Sequence, residues 1–325
     1  MRRAGFVLLI LGAAACRPRP TNLLLVSIDT LRADHLGCYG DAAAQTTRLD
    51  QLAARGTRFT RAFTVAPLTL PAHASLMTGT FPAFHGVHDN GGFHLGDEQL
   101  TLAEVLRDHG YRTGGFVGAF VLDGRWGIGQ GFERYFDDFD LAKHEGQGMD
   151  AVQRRGDEVV DEALRWLAAD RGRPFFAWVH LYDPHSPYDA PEPWRSRFPA
   201  SVVGSYDAEI AWTDSQVGRL IDALAADGRL ERTLVAVVAD HGESLGEHQE
   251  QQHGFFLYEA TLHIPLILAG PRIPARTVSD PVRIVDAMPT LLEDLGVQVP
   301  AAVQGRSLLP LVEGRSDPRL TLAET

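Results

Sequence analysis

The stretch from residue 22 to residue 29 reads "NLLLVSID" and decides the fold class. It is a short and almost continuous apolar run, which is typical of a strand covered on both faces of a sheet. Four further runs share this character: "GGFVGAF" (114–120), "PFFAWVHL" (174–181), "TLVAVVAD" (233–240) and "IPLILAG" (264–270). The sequence therefore predicts at least five strands of one buried sheet.

Amphipathic helical patterns separate these runs. They cover residues 46–56, 100–110, 149–170 and 205–228. Strands that alternate with helices predict an α/β fold with a mixed, mostly parallel sheet and helices on both faces. The long connections 121–148 and 182–204 contain Gly and Pro, and we expect such connections to form the rim of an active site.

Several predicted strands end in residues that can bind a metal ion. These residues are Asp29, then His180 with Asp183 and His185, then Asp240 with His241. In a mostly parallel sheet, chemistry collects at the carboxyl ends of the strands. A single Asp at a strand end is usually a turn former, but three such ends together predict a functional site.

Composition narrows the class of protein. The chain has 325 residues, of which 45% are hydrophobic and 22% are charged, as in an ordinary globular protein with a large core. Its net charge is −12 and it has no basic run. The charge argues against a nucleic-acid partner, because binding to phosphate backbones depends on clustered Lys and Arg.

The first sixteen residues, "MRRAGFVLLILGAAAC", have the pattern of a secretory signal, so residues 17–325 are expected to form the catalytic domain. The apolar run is too short for a membrane span, which needs about 20 residues. Small residues directly before Cys16 are typical of a bacterial lipoprotein processing site. We expect export to the periplasm or outer face, with membrane attachment through lipidated Cys16. Plain secretion is the alternative, because Ala13 departs from the usual pattern.

The stretch "APLTLPAHASLMTGTFP" (66–82) places Thr69 near the start of a helix. Pro71 favours the first helical turn, and Gly79 is expected to end the helix. Free backbone N–H groups and the helix dipole at this end stabilise an alkoxide or a bound anion. Considered alone, the segment favours Thr69 as a simple N-cap.

Six ordered motifs change that interpretation. They are "LLVSIDTLRADHLGCYG" (24–40), "TLPAHASLMTG" (69–79), "HGVHDNGG" (85–92), "YDPHSPY" (182–188), "VVADHGESLGEH" (237–248) and "HGFFLYEATLHIPLIL" (253–268). Together they resemble the sulfatase family of the alkaline-phosphatase superfamily. The resemblance covers residues 22 to 309 and implies the fold of that superfamily. Family members usually continue into a smaller C-terminal sheet, so we expect a short or truncated C-terminal subdomain here.

The resemblance implies a divalent metal ion held by Asp29, Thr69, Asp240 and His241. Carboxylate oxygens with an imidazole nitrogen suit Ca²⁺, Mn²⁺ or Zn²⁺. Such an ion lowers the pKa of a neighbouring hydroxyl, which implies that Thr69 is the nucleophile.

The sequence departs from the usual sulfatase signature. Sulfatases oxidise a Cys or Ser to formylglycine in a C/S-x-P-x-R motif, whereas this chain has Thr69 at the first position and His73 at the last. Thr30 stands where a second acidic residue is expected after Asp29. Lys143, the only lysine, lies outside the motifs, so lysines cannot hold sulfate. These features indicate a branch that works without formylglycine.

A threonine nucleophile is typical of the phosphodiesterase, pyrophosphatase and phosphoethanolamine-transferase branches, which commonly use two metal ions. Asp183, His185 and His253 are candidates for a second site. Alternatively, His185 and His253 bind the substrate around a single ion and protonate the leaving group. The sequence is compatible with a site for one metal ion and with a site for two.

Two further residues are candidates for substrate binding. Asn90, in the Gly-rich stretch "HDNGG", is implied by the resemblance to donate its amide to a substrate oxygen, although such a stretch is also typical of a turn. His73 lies one turn into the helix and can serve either substrate binding or packing.

The sequence thus predicts a metal-dependent hydrolase that cleaves a phosphate or sulfate ester, with a phosphate mono- or diester favoured. The substrate is expected to be a small molecule, a glycan ester or a lipid ester. The alternatives are a sulfatase that works without formylglycine, a phospho-group transferase and a catalytically degenerate binding lipoprotein.

Overall fold

The computed structural model describes residues 21–144, 148 and 152–325. The predicted signal segment 1–16, with Cys16, lies outside the described residues. In the described part, one sheet contains strands β1 (Asn22–Ile28), β2 (Thr57–Phe63), β3 (Arg112–Val117), β4 (Arg134–Phe136), β5 (Phe175–Leu181), β6 (Thr233–Ala239), β7 (His263–Ala269), β8 (Arg276–Val278) and β9 (Val282–Arg283). The spatial order is β4-β3-β5-β1-β6-β7-β2-β8, with β9 paired to β2.

The sheet is mixed and mostly parallel, as the sequence predicts. Strand β7 is antiparallel to both of its neighbours, β6 and β2, whereas the other pairings are parallel. Strands β1, β5 and β6 form the centre, and every residue in them is buried. Burial of the central strands on both faces explains why their sequences are apolar without alternation.

Helices cover the sheet in two groups. The described helices are α1 (Thr47–Arg55), α2 (Thr69–Thr78), α3 (Pro82–His85), α4 (Leu102–Asp108), α5 (Gly156–Ala169), α6 (Val202–Ala226), α7 (Glu259–Leu262), α8 (Ala287–Leu295) and α9 (Leu309–Val312). Helix α6 packs against both α1 and α5, and α2 packs with α3, α4 and α8. Helix α2, which carries Thr69, is buried along its whole length.

The helix ends follow local capping chemistry. The pattern at 100–110 forms α4, which begins after a capping box: the Thr101 hydroxyl accepts from the Glu104 N–H, and the Glu104 carboxylate accepts from the Thr101 N–H. The pattern at 205–228 forms α6, which begins three residues earlier because the Ser201 hydroxyl accepts from the Gly204 N–H. The pattern at 149–170 forms a described helix only from Gly156; residues 149–151 lie outside the described residues.

The sequence analysis missed the strands on one side of the sheet and the edge strand β4. Strand β2 reads "TRFTRAF" and alternates buried and partly exposed residues, so it lacks the continuous apolar run that marks the centre. Strands β4, β8 and β9 have two or three residues each, which is too short to show a periodicity. Within the described residues, no helix combines the length and apolar character needed to cross a membrane.

Candidate active site

The site begins where the two central strands β1 and β6 end. Ile28 lies opposite Ala239 in parallel register, so the residues that follow them, Asp29 and Asp240, are neighbours. The turn after β1 is fixed by Thr30, whose φ is +53°. The Thr30 N–H donates to Asp240 Oδ1 at 3.2 Å, and its carbonyl accepts from the Tyr206 hydroxyl at 2.6 Å.

Thr69 is the first residue of helix α2. The N-cap is Leu68, which has no side-chain capping bond, so the hydroxyl of Thr69 does not serve as a cap. The helix ends at Gly79, whose φ of +65° favours glycine. Thr69 exposes only 1% of its surface, and its Oγ1 lies 3.4 Å from His241 Nε2. The helix therefore delivers the hydroxyl directly to the ends of β1 and β6.

The backbone determines the tautomer of His241. Its Nδ1 lies 2.9 Å from the Gly242 carbonyl and must donate to it, because a carbonyl only accepts. A Cβ at Gly242 would lie 2.0 Å from the Ala260 carbonyl oxygen, so this turn requires glycine. Burial lowers the pKa of His241 well below its usual value. The ring is thus neutral, with the Nε2 lone pair directed at Thr69, which is the arrangement of a metal ligand.

Asp29, Asp240 and His241 form what we call the inner cluster. All three are completely buried, and one ligand atom of each lies within 4.8 Å of the others. His241 Nε2 is 3.4 Å from Asp240 Oδ2 and 3.9 Å from Asp29 Oδ1. Neither of these carboxylate oxygens has a hydrogen-bond partner.

The electrostatics of the inner cluster favour a bound cation. Burial raises the pKa of Asp240, and the nearby charge of Asp29 raises it further. Burial also raises the pKa of Asp29. Two buried carboxylates resist ionising side by side, and a divalent cation between them removes that repulsion. Together with Thr69 Oγ1, the unpartnered oxygens and His241 Nε2 fit a divalent metal ion.

His73 lies beneath the inner cluster. Its Nδ1 donates to the Thr69 carbonyl at 2.7 Å, and its Nε2 lies 2.9 Å from the Ser27 hydroxyl. Ser27 accepts in turn from Trp178 Nε1 at 2.9 Å, so its own hydroxyl donates to His73. Although ligand atoms of His73, His180 and Asp240 also lie within 4.8 Å of one another, both nitrogens of His73 are engaged. The prediction that His73 binds substrate does not fit this completely buried position.

His180, one of the strand-end residues that can bind a metal ion, contacts the inner cluster from the side of β5. Its Nε2 donates to Asp29 Oδ2 at 3.3 Å, and burial lowers its pKa to about 3, which keeps the ring neutral. The sequence does contain a signal for a buried contact, because Ser27 and His180 are single polar residues inside apolar runs. Ser27 and His180 lie opposite each other in register, and a buried polar side chain needs a partner.

The predicted second metal set does not assemble. Among the described residues, Asp183, His185 and His253 do not bring three ligand atoms within 4.8 Å of one another. Asp183 Oδ1 accepts from the Gly156 N–H at 3.0 Å and from Trp212 Nε1 at 2.9 Å, which fixes the start of α5. The proposed role of Asp183 as a metal ligand is therefore corrected to a structural one.

His253 and Glu243 form what we call the outer pair. His253 Nδ1 lies 3.0 Å from Glu243 Oε1, and the ring centroid is 4.3 Å from that of His241. Burial lowers the pKa of His253, but its hydrogen bond to Glu243 and the surrounding carboxylates raise it, and the net shift is upward. The outer pair therefore favours the protonated form of His253 next to the inner cluster.

His185 lies beside the outer pair. Its ring centroid is 5.3 Å from that of His253, and it stacks on Tyr182 at 4.3 Å with an interplanar angle of 16°. Its Nδ1 donates to the Ser186 carbonyl at 2.6 Å, which fixes the orientation of the ring. His185 thus faces the same region as His253 without sharing a metal set with Asp183.

Arg32 connects the turn after β1 to the loop of the outer pair. Its guanidinium forms ion pairs with Asp34 and Glu247 and donates to the Glu243 carbonyl at 3.1 Å. The sequence analysis did not assign Arg32 to the site. Its buried position fixes the backbone of Glu243 relative to the inner cluster.

Asn90 contacts the start of helix α2. Its Oδ1 accepts from the Leu70 N–H at 2.8 Å, next to Thr69. Because the Leu70 N–H can only donate, the side-chain atom of Asn90 that faces it is the oxygen. The Nδ2 group is therefore the part of Asn90 that can donate to another oxygen. The structure thus brings Asn90 next to Thr69, with its Oδ1 committed to the helix.

Comparisons with known proteins agree with this arrangement. The sequence model of the Sulfatase family matches residues 21–297. The chain is 27% identical to the "Uncharacterized sulfatase YidJ" of Escherichia coli (strain K12), over 90% of this chain and 71% of that protein. It is 28% identical to "Arylsulfatase A" of Homo sapiens, over 97% of this chain and 72% of that protein.

Solved structures share the fold. The phosphonate monoester hydrolase of Agrobacterium radiobacter superposes with a TM-score of 0.78 at 25% identity, covering 92% of this chain and 78% of that one. The putative sulfatase yidJ of Bacteroides fragilis superposes with a TM-score of 0.79 at 25% identity, covering 94% and 81%. With the family model matching most of its length, the chain belongs to the sulfatase family and is an ester hydrolase of the alkaline-phosphatase superfamily.

Proposed function

We propose that this chain hydrolyses a phosphate mono- or diester and that Thr69 is the nucleophile. The observation that carries the proposal is the position of the Thr69 hydroxyl, 3.4 Å from His241 Nε2 and at the start of a buried helix. The hydroxyl faces the unpartnered oxygens of the inner cluster. A threonine placed there for packing alone would not need such neighbours.

Asp29, Asp240 and His241 would hold a divalent metal ion together with the Thr69 oxygen. The bound ion would supply positive charge that lowers the pKa of the hydroxyl and stabilises negative charge on the ester oxygens. His180 and the Thr30 N–H orient the two carboxylates, and the Gly242 carbonyl orients His241. The nucleophile is therefore positioned by backbone and buried side chains.

The outer pair supplies the proton for the leaving group. Thr69 Oγ1 loses its proton to solvent and then forms a bond to phosphorus as the bond from phosphorus to the leaving oxygen breaks, and protonated His253 donates its proton to that oxygen. Neutral His253 then accepts a proton from water as the water oxygen attacks phosphorus and the bond from phosphorus to Thr69 Oγ1 breaks. This second displacement releases phosphate from a monoester, or a phosphate monoester from a diester, and restores the deprotonated Thr69 oxygen. Asn90 Nδ2 donates to a non-bridging oxygen throughout.

Two features favour phosphorus over sulfur. Threonine cannot form the formylglycine hydrate of typical sulfatases, and the position of their signature arginine is taken by the buried His73. The structural likeness to a phosphonate monoester hydrolase points the same way.

Sulfate ester hydrolysis without formylglycine is the second candidate. The specific observation in its favour is the match to relatives named as sulfatases, including the ulvan-active sulfatase of Formosa agariphila at 27% identity.

The test compares Thr69→Ala with the parent on 4-nitrophenyl phosphate, bis(4-nitrophenyl) phosphate and 4-nitrophenyl sulfate, which share one leaving group. We expect kcat to fall on the order of 10³-fold or more, because no other hydroxyl occupies the position. Thr64→Ala is the matched control, since Thr64 is also buried but its hydroxyl donates to the Ala66 carbonyl. Retention of more than a few per cent of activity by Thr69→Ala contradicts the nucleophile, and faster sulfate cleavage reverses the ranking.

A further inference from the structure

A cavity of about 890 Å³ opens beside the outer pair. It lies between the segment 186–188, the start of helix α6 and the loop 245–256. Its apolar wall consists of Pro187, Tyr188, Val202, Leu245, Phe255 and Phe256. Polar residues and one glycine complete the lining: Ser186, Gly246, Gln249, Glu250, Gln251 and Gln252. The volume lies in the range of pockets that bind small ligands. We call it the rim pocket.

The apolar residues of the rim pocket are unusually exposed. Phe255 exposes 74% of its surface, and Val202 exposes 60%. Phe256 is also exposed, as are the neighbouring Leu257 and Val203. Contiguous exposed apolar residues mark a binding surface, because a folded protein otherwise covers such side chains.

Residues of the rim pocket adjoin the outer pair and His185. Ser186, in the wall, follows His185, and the Tyr188 hydroxyl lies 3.5 Å from Glu243 Oε2. Phe255 follows His253 by two residues. These connections place the pocket on the side of the outer pair from which the leaving oxygen would be protonated.

The charge of the rim pocket selects the chemistry of its occupant. Its described lining contains no Arg or Lys, and its one carboxylate, Glu250, is buried and accepts from the Phe256 N–H at 3.3 Å. A polyanionic glycan would find no counter-charge there. An uncharged aryl or alkyl group, in contrast, would bury the exposed aromatic side chains.

We infer that the substrate carries an apolar aryl or alkyl group on its leaving oxygen and that the rim pocket binds this group. The inference rests on the proposed function for the position of the leaving oxygen. It goes further by choosing apolar esters over charged glycan esters.

The experiment uses 4-methyl-, 4-ethyl-, 4-propyl- and 4-butylphenyl phosphate, whose leaving groups differ in apolar length but hardly in acidity. We expect kcat/KM of the parent to rise roughly twofold to fourfold per added methylene. The rise should be lost in the double variant Phe255→Ser/Phe256→Ser. Phe84→Ser, at an exposed Phe outside the pocket, is the control and should keep the rise.

A second measurement does not depend on turnover. Calorimetric binding of 4-butylphenol, the product alcohol, should be at least about tenfold weaker in the double variant than in the parent. If the parent hydrolyses all four esters at equal kcat/KM, the inference fails while the proposed function stands. If neither these esters nor bis(4-nitrophenyl) phosphate is cleaved but 4-butylphenol binds as expected, the proposed function fails and the pocket assignment stands.

A membrane surface is the rival occupant of the exposed aromatic residues. Co-sedimentation with neutral phosphatidylcholine vesicles distinguishes it from a soluble ester. The inference is overturned if the double variant loses vesicle binding but its kcat/KM still rises with alkyl chain length as in the parent.

Discussion

The inner cluster and the outer pair lie side by side but are built in different ways. Asp29 and Asp240 follow two central strands, and backbone groups orient Asp240 and His241. His253, in contrast, lies in a loop and is oriented by a side chain, Glu243. In the proposed mechanism, strand ends thus position the residues that activate Thr69, whereas loops position the residues that would handle the proton and contact the substrate.

The largest effect is expected from breaking the inner cluster. Asp29→Asn or Asp240→Asn should abolish stoichiometric metal binding and reduce kcat on the order of 10³-fold, because an amide lacks the charge that holds a divalent cation. Metal content by mass spectrometry and steady-state kinetics measure this. Without metal, each variant should be at least as thermally stable as the metal-free parent, since a buried repelling charge is gone.

Asp183→Asn is the matched control for these variants. Asp183 also follows a central strand, β5, but it is only partly buried and its Oδ1 accepts from Gly156 and Trp212. It should keep the metal content and most of the activity of the parent. Loss of a second equivalent of metal in Asp183→Asn would restore the two-ion interpretation.

The second-largest effect is expected from changing the pKa of His253 in the outer pair. Because the pKa of His253 is raised, the protonated acid persists to higher pH, and kcat should fall as pH increases through this pKa. Glu243→Gln removes the negative charge, lowers the pKa of His253 and should move this fall to lower pH. At neutral pH we expect roughly tenfold lower kcat. A pH–rate profile that is unchanged in Glu243→Gln would show that His253 does not supply the proton.

A smaller effect, on stability, is expected from removing the hydroxyl of Ser27, which lies beneath the inner cluster and contacts His73. Ser27→Ala leaves His73 Nε2 and Trp178 Nε1 without their buried partner, and this should lower the free energy of unfolding by about 1–3 kcal/mol. Urea denaturation measures the change. Ser215→Ala, whose hydroxyl donates to a carbonyl within helix α6, should change it by less than about 0.5 kcal/mol.

The smallest effect is expected at Tyr188. Its hydroxyl is 3.5 Å from Glu243 Oε2, which is long for a hydrogen bond, and its ring remains packed against Tyr206 after removal of the hydroxyl. Tyr188→Phe should change kcat/KM by less than about threefold. A much larger loss would mean that the outer pair depends on Tyr188 as strongly as on Glu243.

The difference between residues at strand ends and residues in loops also explains which parts of the site could be predicted from the sequence. Central strands and their terminal Asp29, Asp240 and His241 were predictable, because continuous apolar runs locate strands and parallel strand ends meet at one edge. Asp183 ends a similar run, yet a contact with Gly156 and Trp212 turns it away from the metal set. The direction of a side chain after a strand depends on distant elements, which no local pattern reports.

The residues that support the site were harder to predict. Ser27 and His180 appear as single polar letters within apolar runs, and their partners lie on other elements. The rim pocket has no sequence signal at all, since "HGFF" is as compatible with a buried turn as with an exposed wall. Loop conformation decides between the two.

The left-handed backbone conformation of Thr30 has an evolutionary consequence. A β-branched residue at a φ of +53° is strained by about 1–2 kcal/mol, and this one stands where the family resemblance in the sequence implies a second acidic residue. Asp tolerates the left-handed conformation better than Thr. A Thr30→Asp change would thus relieve backbone strain while adding an anionic group beside Asp240. The chain is separated from a more acidic metal centre by a single substitution that its backbone already accommodates.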